Sequence, residues 1–312
     1  TLTGVPDELA SSLLTMTGVI GVEQDAVIAL DDPLYVQSET QGGYADISGT
    51  SSCPEIVPWG IARVGGPLEI DPSSLGKVFV IDTGIFPNAD LSIDTALSTS
   101  FVNDGTSPAW SDGAGHGTHV AGTIGAIKNC MGVVGVVPGA TVVSVRVLDR
   151  FGSGTVSAVI KGVDYVAANG QEGDVANLSL GGGISSLLDS AVLNASLKGI
   201  KFAIAAGNNA IDASNTSPAR VNGENIYTVS AFNQLEELCT FSNWGSCVDY
   251  SGPGQAVLSL RKGSGTVTLS GTSMAAPHIA GLLLARCITV NGTVVGDIND
   301  SNPDVIAYSA CK

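Results

Sequence analysis

The chain has 312 residues, of which 44% are hydrophobic, so it can form one large domain with a small appendage, and a disordered protein is excluded. Its 29 Asp and Glu residues outnumber its 13 Lys and Arg residues, which gives a formal net charge of −16. This charge argues against nucleic acid and anionic membranes as partners, and no apolar run reaches the length that spans a bilayer.

The first part of the chain has a pattern of its own. Residues 6–14 predict an amphipathic helix, and residues 19–30 predict a strand that is broken by Glu23, Gln24 and Asp25. Residues 31–52 are rich in Gly, Ser, Thr and Asp, which is typical of a linker. The alternative for the first thirty residues is an ordinary helix and strand of the main domain.

From residue 77 onward, strand-like apolar runs alternate with segments of helical periodicity. The predicted strands cover residues 77–81, 141–147, 175–180 and 201–205, and the predicted helices cover residues 116–127, 156–168 and 187–197. Because the runs are apolar throughout, we predict an α/β fold with a doubly wound, mostly parallel sheet and helices on both faces. Ligands bind such sheets at the carboxyl ends of the strands, where Asp82, Ser179 and Asn208 lie.

Three short motifs provide an acid, a base and a nucleophile in that order. Asp82 ends a predicted strand in the segment VIDTG, and His116 opens a predicted helix in the segment GHGTHVAGT. Ser273 lies at the start of another helix in the segment GTSMAAPH, where unpaired backbone N–H groups stabilise negative charge.

Each of these residues has a simpler explanation when it is taken alone. Asp82 is also compatible with a turn cap, Ser273 with a helix N-cap and Asn208 with a turn residue. The spacing of His116 and His119 is compatible with a metal site, although the glutamate of an HExxH motif is missing. A functional assignment therefore rests on the motifs occurring together.

The motifs in the order Asp, His, Ser resemble those of the subtilisin family, the subtilases, and the wording is most similar to the subtilisin and proteinase K branches. The similarity runs from about residue 58 to residue 286. It implies a serine endopeptidase in which Asp82 orients His116, His116 takes a proton from Ser273, and Ser273 attacks the peptide carbonyl. By the same resemblance, Asn208 and the Ser273 backbone N–H donate hydrogen bonds to the oxyanion.

The resemblance also implies a substrate cleft without a fixed charge. The edge segment Gly152-Ser153-Gly154 would pair with extended substrate backbone. The specificity pocket would be lined on its two sides by Ser179, Leu180 and Gly181 and by Ala205, Ala206 and Gly207, with Leu180, Val156 and Val159 forming a further apolar subsite. We expect broad specificity with an apolar or aromatic residue before the scissile bond, and a selective processing protease is the alternative.

A structural Ca²⁺ site is implied by the loop at residues 127–133, which resembles the calcium loop of subtilisins. The implied ligands are side-chain and carbonyl oxygens, which suit calcium: Glu55, Asp90, Ile127, Asn129, Met131 and Val133. Glu55 replaces the usual amide, and a cysteine is unusual inside this loop. The alternative is an ordinary surface loop that contains glycine.

Six cysteines predict disulfides and an oxidising compartment, although buried free thiols remain an alternative. A bridge between Cys239 and Cys247 would close a short turned loop, and one between Cys287 and Cys311 would fix the C-terminal tail. If the implied calcium site brings Glu55 to Asn129, Cys53 and Cys130 become neighbours and form the third bridge.

The family resemblance extends to the N-terminal segment VEQDAV, residues 22–27. It implies that residues 1–48 are the C-terminal half of an inhibitory propeptide plus linker, cleaved within residues 31–52, and that residues 49–312 are the catalytic domain. The expected protein is a secreted, monomeric zymogen whose partners are protein or peptide substrates and its own propeptide. The sequence shows no signal-peptide pattern, so we expect any such segment to lie outside it.

Two other classes of function compete with the protease. A catalytically silent binding or inhibitory protein would keep the fold but lose catalytic residues, and none of them is lost here. An esterase of the α/β-hydrolase fold would have a Gly-x-Ser-x-Gly elbow followed by Asp and then His. Ser273 lacks that elbow, and the serine is the last of the three residues in this chain and not the first.

Overall fold

The computed structural model describes residues 7–30, 43–44, 55–297 and 303–311. Six α-helices lie within these residues: α1 (Asp7–Leu13), α2 (Trp59–Arg63), α3 (His116–Gly125), α4 (Val156–Asn169), α5 (Ser186–Ser196) and α6 (Thr272–Leu284). Sixteen strands lie within them: β1 (Val27–Ala29), β2 (Gly43–Tyr44), β3 (Val57–Pro58), β4 (Val78–Asp82), β5 (Ser92–Ile93), β6 (Thr99–Ser100), β7 (Thr141–Arg146), β8 (Ser153–Thr155), β9 (Val175–Leu178), β10 (Lys201–Ala205), β11 (Ile226–Phe232), β12 (Tyr250–Pro253), β13 (Val257–Leu260), β14 (Thr266–Leu269), β15 (Ile288–Thr293) and β16 (Val305–Ser309).

Ten of these strands form one sheet in the order β15-β16-β12-β11-β10-β9-β4-β7-β5, with β6 also paired to β7. Strand β15 is antiparallel to its neighbour β16, and every other pair in this sheet is parallel. Strand β7 lies on one side of β4, and β9, which follows β7 in the chain, lies on the other side of β4. The sheet is therefore extended in both directions from β4, as in a doubly wound sheet. The carboxyl ends of β4, β9 and β10 therefore lie side by side.

Helices cover both faces of the sheet, as the continuous apolar runs predict. Side chains of β4 alternate between the two faces: Val78 and Val80 belong to one buried cluster, and Phe79 and Ile81 belong to the other. Helices α3 and α6 pack into the first cluster, and helices α4 and α5 pack into the second. The predicted α/β fold class is thus confirmed.

The N-terminal elements differ in part from the expectation. The predicted strand at residues 19–30 is confined to β1, and the carboxylates of Glu23 and Asp25 in the preceding stretch bind the N-terminal ends of two helices. Within the predicted linker, Gly43 and Tyr44 form β2, which pairs antiparallel with β3. The other linker residues lie outside the described residues.

The cysteines follow the expectation only in part. Cys287 and Cys311 form the predicted disulfide. The predicted Cys239–Cys247 bridge is wrong, because both are buried free thiols that pack into the clusters on opposite sides of the sheet. Cys130 is disulfide-bonded, and Cys53, its predicted partner, lies outside the described residues.

Across the described residues, no helix has both the length and the apolar character needed to cross a membrane.

Candidate active site

The proposed acid and base are in direct contact. Asp82 is the last residue of β4 and is fully buried, and His116 is the first residue of α3. The His116 Nδ1 atom lies 2.8 Å from Asp82 Oδ1 and 2.9 Å from Oδ2. A carboxylate in this position favours the tautomer with a proton on Nδ1, which leaves Nε2 as the basic nitrogen of the neutral ring.

The close approach of α3 to β4 depends on glycine. Gly115 precedes α3 with a φ of 115°, a left-handed conformation that glycine adopts without strain. A Cβ atom at Gly117 would collide with the Gly84 carbonyl oxygen and lie 3.2 Å from Asp82 Cβ. The glycines of the GHGTH motif therefore allow the first turn of the helix to lie against the end of the strand.

Ser273 is tied to the end of the neighbouring strand β9. It is the second residue of α6, and its Oγ donates a 3.0 Å hydrogen bond to the Ser179 carbonyl oxygen. In return, Ser179 Oγ donates a 2.8 Å hydrogen bond to the Ser273 carbonyl oxygen and accepts one of 2.9 Å from Asn177 Nδ2. Because α6 packs against α3, Ser273 and His116 begin adjacent helices.

The Asn208 side chain is anchored by its carbonyl end. Its Oδ1 accepts hydrogen bonds from Thr272 N at 2.8 Å and Thr272 Oγ1 at 3.0 Å. Thr272 Oγ1 in turn accepts a 3.1 Å hydrogen bond from Gly207 N. The oxygen end is thereby fixed at the start of α6, so the donor end of the amide is its Nδ2 atom.

A cavity of about 280 Å³ opens beside these groups. Four of its lining residues are predicted ones: Gly181, Ala205, Ala206 and Gly207. The other lining residues were not predicted from the sequence: Gly182, Gly183, Asn209, Ile211, Asn215, Thr216 and Ala219. None of the lining residues carries a charge.

Two residues predicted for this pocket have other positions. Leu180 is 97% buried in the core cluster that also contains Val156 and Val159, the other members of the predicted apolar subsite. Ser179 is engaged with Ser273. Neither is among the residues that line the cavity.

The N-terminal strand β1 lies along the edges that the sequence predicts for substrate. Residues 27–29 pair antiparallel with Ser153, Gly154 and Thr155, and Leu30 N donates a 2.9 Å hydrogen bond to the Gly152 carbonyl oxygen. On its other side, Ala29 forms an antiparallel bridge with Gly181. Ile28 is 2% exposed and belongs to the cluster that contains the predicted apolar subsite.

Two acidic side chains just before β1 cap two helices of the main domain. Glu23 accepts a hydrogen bond of 2.6 Å from Ser185 Oγ and one of 3.0 Å from Leu187 N at the start of α5. Asp25 accepts hydrogen bonds of 2.9 Å and 2.7 Å from the N and Oγ atoms of Ser157 at the start of α4. Carboxylates stabilise helix N-termini by satisfying free N–H groups.

The residues implied for calcium come together around the loop that follows α3. Glu55 Oε1 accepts hydrogen bonds from Asn129 N at 2.7 Å and Cys130 N at 3.2 Å, and Asn129 Nδ2 lies 2.8 Å from Asp90 Oδ1. Ile127 N binds the Asp90 carbonyl oxygen, Met131 N binds Asn129 Oδ1, and Val133 pairs with Ile56.

This donor set fits a hard cation, although the structure shows no metal site there. Among the described residues, no group of three or more His, Cys, Asp or Glu is placed to hold a metal ion. Burial raises the pKa of Asp90, the Asn129 hydrogen bond opposes this rise, and the charge of Glu55 adds to it. Two neighbouring carboxylates and an amide oxygen in a loop with backbone carbonyls are the ligand types that Ca²⁺ uses.

The other two histidines are buried and neutral. Burial lowers the pKa of His119 to about 3, and its Nε2 lies 3.0 Å from the Val257 carbonyl oxygen. Burial likewise lowers the pKa of His278 to about 4, and its Nδ1 lies 2.8 Å from the Met274 carbonyl oxygen. Both side chains are fully buried in the core.

Comparison with known proteins identifies the family. Residues 76–291 match the Subtilase family, Peptidase_S8. The chain belongs to the subtilase family.

Relatives of this subtilase include one named as a serine exoprotease and one named as a subtilisin. Alkaline serine exoprotease A of Vibrio alginolyticus is 41% identical over 271 residues, which are 84% of this chain and 46% of that relative. Subtilisin Savinase of Lederbergia lenta is 43% identical over 229 residues, which are 72% of this chain and 82% of that protein. The chain thus spans about half the length of the Vibrio relative.

The fold of this subtilase also matches a solved structure. The crystal structure of a cold-adapted subtilisin-like serine proteinase superposes with a TM-score of 0.68 and 38% sequence identity, and the match covers 81% of this chain and 98% of that chain.

Proposed function

We propose that this subtilase is a secreted serine endopeptidase that uses Asp82, His116, Ser273 and Asn208. The observation that carries the proposal is the buried Asp82 carboxylate, which is hydrogen-bonded to His116 Nδ1. This contact favours the His116 tautomer whose Nε2 can accept the proton of a serine nucleophile. The names of the relatives, a serine exoprotease, a subtilisin and a subtilisin-like serine proteinase, point to the same chemistry.

The mechanism proceeds through an acyl-enzyme. His116 Nε2 accepts the hydroxyl proton, which Ser273 donates to Ser179 O in this structure, while Ser273 Oγ attacks the carbonyl carbon of the scissile bond. Asp82 stabilises the imidazolium that forms, and His116 then gives the proton to the leaving amine. Water attacks the resulting ester with the same proton transfers in reverse.

The oxyanion of each tetrahedral intermediate would accept hydrogen bonds from Asn208 Nδ2 and the Ser273 backbone N–H. The anchoring of Asn208 Oδ1 by Thr272 supports this role, because it fixes the donor end before the reaction begins. The position of Ser273 in the first turn of α6 adds the positive end of the helix dipole.

The specificity we propose is broad, with an apolar or aromatic residue before the scissile bond. An uncharged cavity of about 280 Å³ supports it. Substrate would pair through its backbone with Gly152, Ser153 and Gly154, as β1 does in this structure, and backbone pairing tolerates many sequences.

We also propose that residues 1–48 are an inhibitory propeptide remnant with its linker. The support is the antiparallel pairing of β1 along the substrate edge and the two helix caps that Glu23 and Asp25 provide. A segment bound in this way excludes a substrate from the same edge, so the protein would be a zymogen. Mass spectrometry of active protein would refute processing if its N-terminus were still Thr1.

A structural Ca²⁺ bound by Glu55, Asp90 and Asn129 with the carbonyls of Ile127, Met131 and Val133 is part of the proposal. Bound there, the ion would neutralise two carboxylates and fix the loop.

Secretion is supported by the oxidised pair Cys287–Cys311 and by a relative that is named an exoprotease. Peptide mapping under non-reducing conditions tests the proposed Cys53–Cys130 bridge.

Casein hydrolysis tests the proposed function. We expect the parental chain to cleave casein and Ser273→Ala to lose this activity. Ser251→Ala is the matched control, since Ser251 is buried in β12 and its Oγ has no hydrogen-bond partner within the described residues. A Ser273→Ala chain that cleaves casein as fast as the control would contradict the proposal.

A further inference from the structure

A second buried carboxylate, Asp112, lies in the loop before α3. It is 1% exposed and accepts five hydrogen bonds. Its Oδ1 accepts from Thr83 Oγ1, Ala114 N and Gly115 N at 2.8, 2.8 and 2.7 Å, and its Oδ2 accepts from Thr118 N and Thr118 Oγ1 at 3.0 and 2.6 Å. Three of the donors are backbone N–H groups at the start of the helix that carries His116.

The bonds of Asp112 continue to the Asp82–His116 pair. Because Thr83 Oγ1 donates its hydrogen to Asp112, the oxygen is free to accept a 3.0 Å hydrogen bond from Gly117 N, next to His116. The backbone N of Thr83 donates a 2.6 Å hydrogen bond to Asp82 Oδ1. Asp112 is thus connected through one threonine both to the carboxylate that holds His116 and to the first turn of α3.

The same carboxylate also holds the loop that follows the acid. Thr118 Oγ1 donates its hydrogen to Asp112 Oδ2 and accepts a 2.9 Å hydrogen bond from Phe86 N. Asp112 therefore holds the loop after β4 directly through Thr83 Oγ1 and indirectly through Thr118 Oγ1, which accepts from Phe86 N. Donors to a buried carboxylate form charge-assisted hydrogen bonds, and losing the acceptor leaves each of them unsatisfied.

We propose that Asp112 is a positioning residue that sets the contact between Asp82 and His116 Nδ1. The inference rests on the proposed function and extends it to a residue that touches no substrate. Without the Asp112 charge, the start of α3 can shift relative to β4, and a shift of about 1 Å in a catalytic group can lower the rate about 100-fold. An ordinary helix cap would affect stability and leave turnover unchanged.

Steady-state kinetics of Asp112→Asn in the full chain separate the two roles. We expect kcat to fall about 10- to 100-fold while KM stays within about twofold. Asp174→Asn is the matched control, because Asp174 is also buried and accepts hydrogen bonds from Lys77 N at 2.8 Å and Gln171 N at 2.9 Å, at the opposite end of β4 and β9. An unchanged kcat in Asp112→Asn would overturn the proposal.

Substitutions of Thr83 provide a second test if Asp112→Asn does not fold. Thr83→Val removes the hydroxyl that joins Asp112 to Gly117, and we expect the same loss of kcat. Thr83→Ser keeps the hydroxyl and should retain the parental kcat. Equal kcat values for Thr83→Val and Thr83→Ser would contradict the proposed connection.

Proton NMR measures the contact without requiring activity. In a Ser273→Ala chain, the hydrogen-bonded Nδ1 proton of His116 should give a far-downfield resonance, which persists with Asp174→Asn and shifts or disappears with Asp112→Asn. A resonance unaffected by Asp112→Asn would overturn the positioning role. If the resonance responds as expected but the parental chain hydrolyses no peptide, the proposed function fails and the positioning role stands.

Discussion

At the scale of single residues, the two ends of the Asn208 side-chain amide have different roles. Its oxygen anchors the side chain, and its nitrogen is the group proposed to act in catalysis. Thr272 binds only the oxygen end, and Nδ2 is the proposed donor to the oxyanion. We expect Asn208→Ala to lower kcat by about 10²- to 10³-fold with little change in KM, the loss measured for one such donor in a subtilisin. Steady-state kinetics with a peptide substrate provide the measurement.

Asn208→Asp is the control for this prediction. An aspartate keeps an oxygen that Thr272 can bind but has no N–H to donate, so its kcat should be at least as low as that of Asn208→Ala. A kcat close to the parental value in Asn208→Asp would exclude the amide N–H as an oxyanion donor.

The two buried histidines contribute to the pH dependence of stability. The pKa of His119 is about 3 in the folded chain and about 6.5 in the unfolded chain, so the unfolded state binds more protons between these values. His119 should therefore lower the free energy of unfolding of a Ser273→Ala chain as the pH falls from about 6.5 to 3. His119→Gln removes one titrating group and should flatten this slope by up to about 1.4 kcal/mol per pH unit.

Denaturant titrations at several pH values measure these slopes. His278→Gln should flatten the curve over a narrower range, from about pH 6.5 to 4, because the folded pKa of His278 is about 4. Parallel curves for the Ser273→Ala chain and its His119→Gln variant would show that His119 is not buried in its neutral form.

At the scale of elements, the two helix caps fix the segment that leads into strand β1, which lies on the edge proposed to bind substrate. We expect Glu23→Ala combined with Asp25→Ala to weaken this docking by about 1 to 4 kcal/mol, since each cap lost to alanine costs about 0.5 to 2 kcal/mol. Hydrogen exchange of the Leu30 N–H, which binds Gly152 O, should accelerate about 10-fold or more in a Ser273→Ala chain.

Two controls accompany the exchange measurement. Gln24→Ala changes an exposed residue between the two carboxylates and should leave the Leu30 N–H unaffected. The Val147 N–H, which binds Asp82 O in the sheet, reports on the domain as a whole. Exchange at Leu30 that stays at its original rate in the double variant would show that the caps do not secure β1.

The loop after α3 is the element on which kinetic stability should depend. If Ca²⁺ binds Glu55, Asp90 and Asn129, excess EDTA should shorten the half-life of thermal inactivation several-fold, because an unoccupied loop opens more readily. Glu55→Gln should inactivate faster than the parental chain at limiting calcium, and its half-life should respond less to added calcium.

Glu69→Gln is the matched control for the calcium prediction. It removes the exposed ion pair between Glu69 and Lys128 at the same loop without touching the proposed ligands. Its inactivation should respond to EDTA as the parental chain does. A parental half-life that is the same with and without EDTA would contradict a stabilising ion.

At the scale of the whole molecule, the sequence predicts the sheet and its helices well because their signal is local. The periodic runs place α4 and β10 within one residue of their observed bounds. Asp82, Ser179 and Asn208 were expected at strand ends. Asp82 ends β4, Ser179 directly follows β9, and Asn208 lies just beyond β10, and the three share one edge because parallel strands end on the same edge of a sheet.

Long-range relations were less accessible from the sequence. The spacing of Cys239 and Cys247 does not reveal that the two thiols pack on opposite sides of the sheet. Lining residues such as Ile211 and Thr216 come from a loop without periodicity, and no motif marks Asp112. The predicted strand at residues 19–30 was too long. Periodicity does not show that Glu23 and Asp25 cap helices α5 and α4.

The most direct test of the central claim is covalent labelling of the nucleophile with a fluorophosphonate. After incubation of the chain from which residues 1–48 have been removed, digestion and mass spectrometry should find the phosphonyl group on Ser273 and at none of the other serines. Labelling should be lost in Ser273→Ala and strongly slowed in His116→Ala, because the base is needed to activate the hydroxyl. A chain that is not labelled, or that is labelled equally well in the His116→Ala variant, would contradict the proposed mechanism.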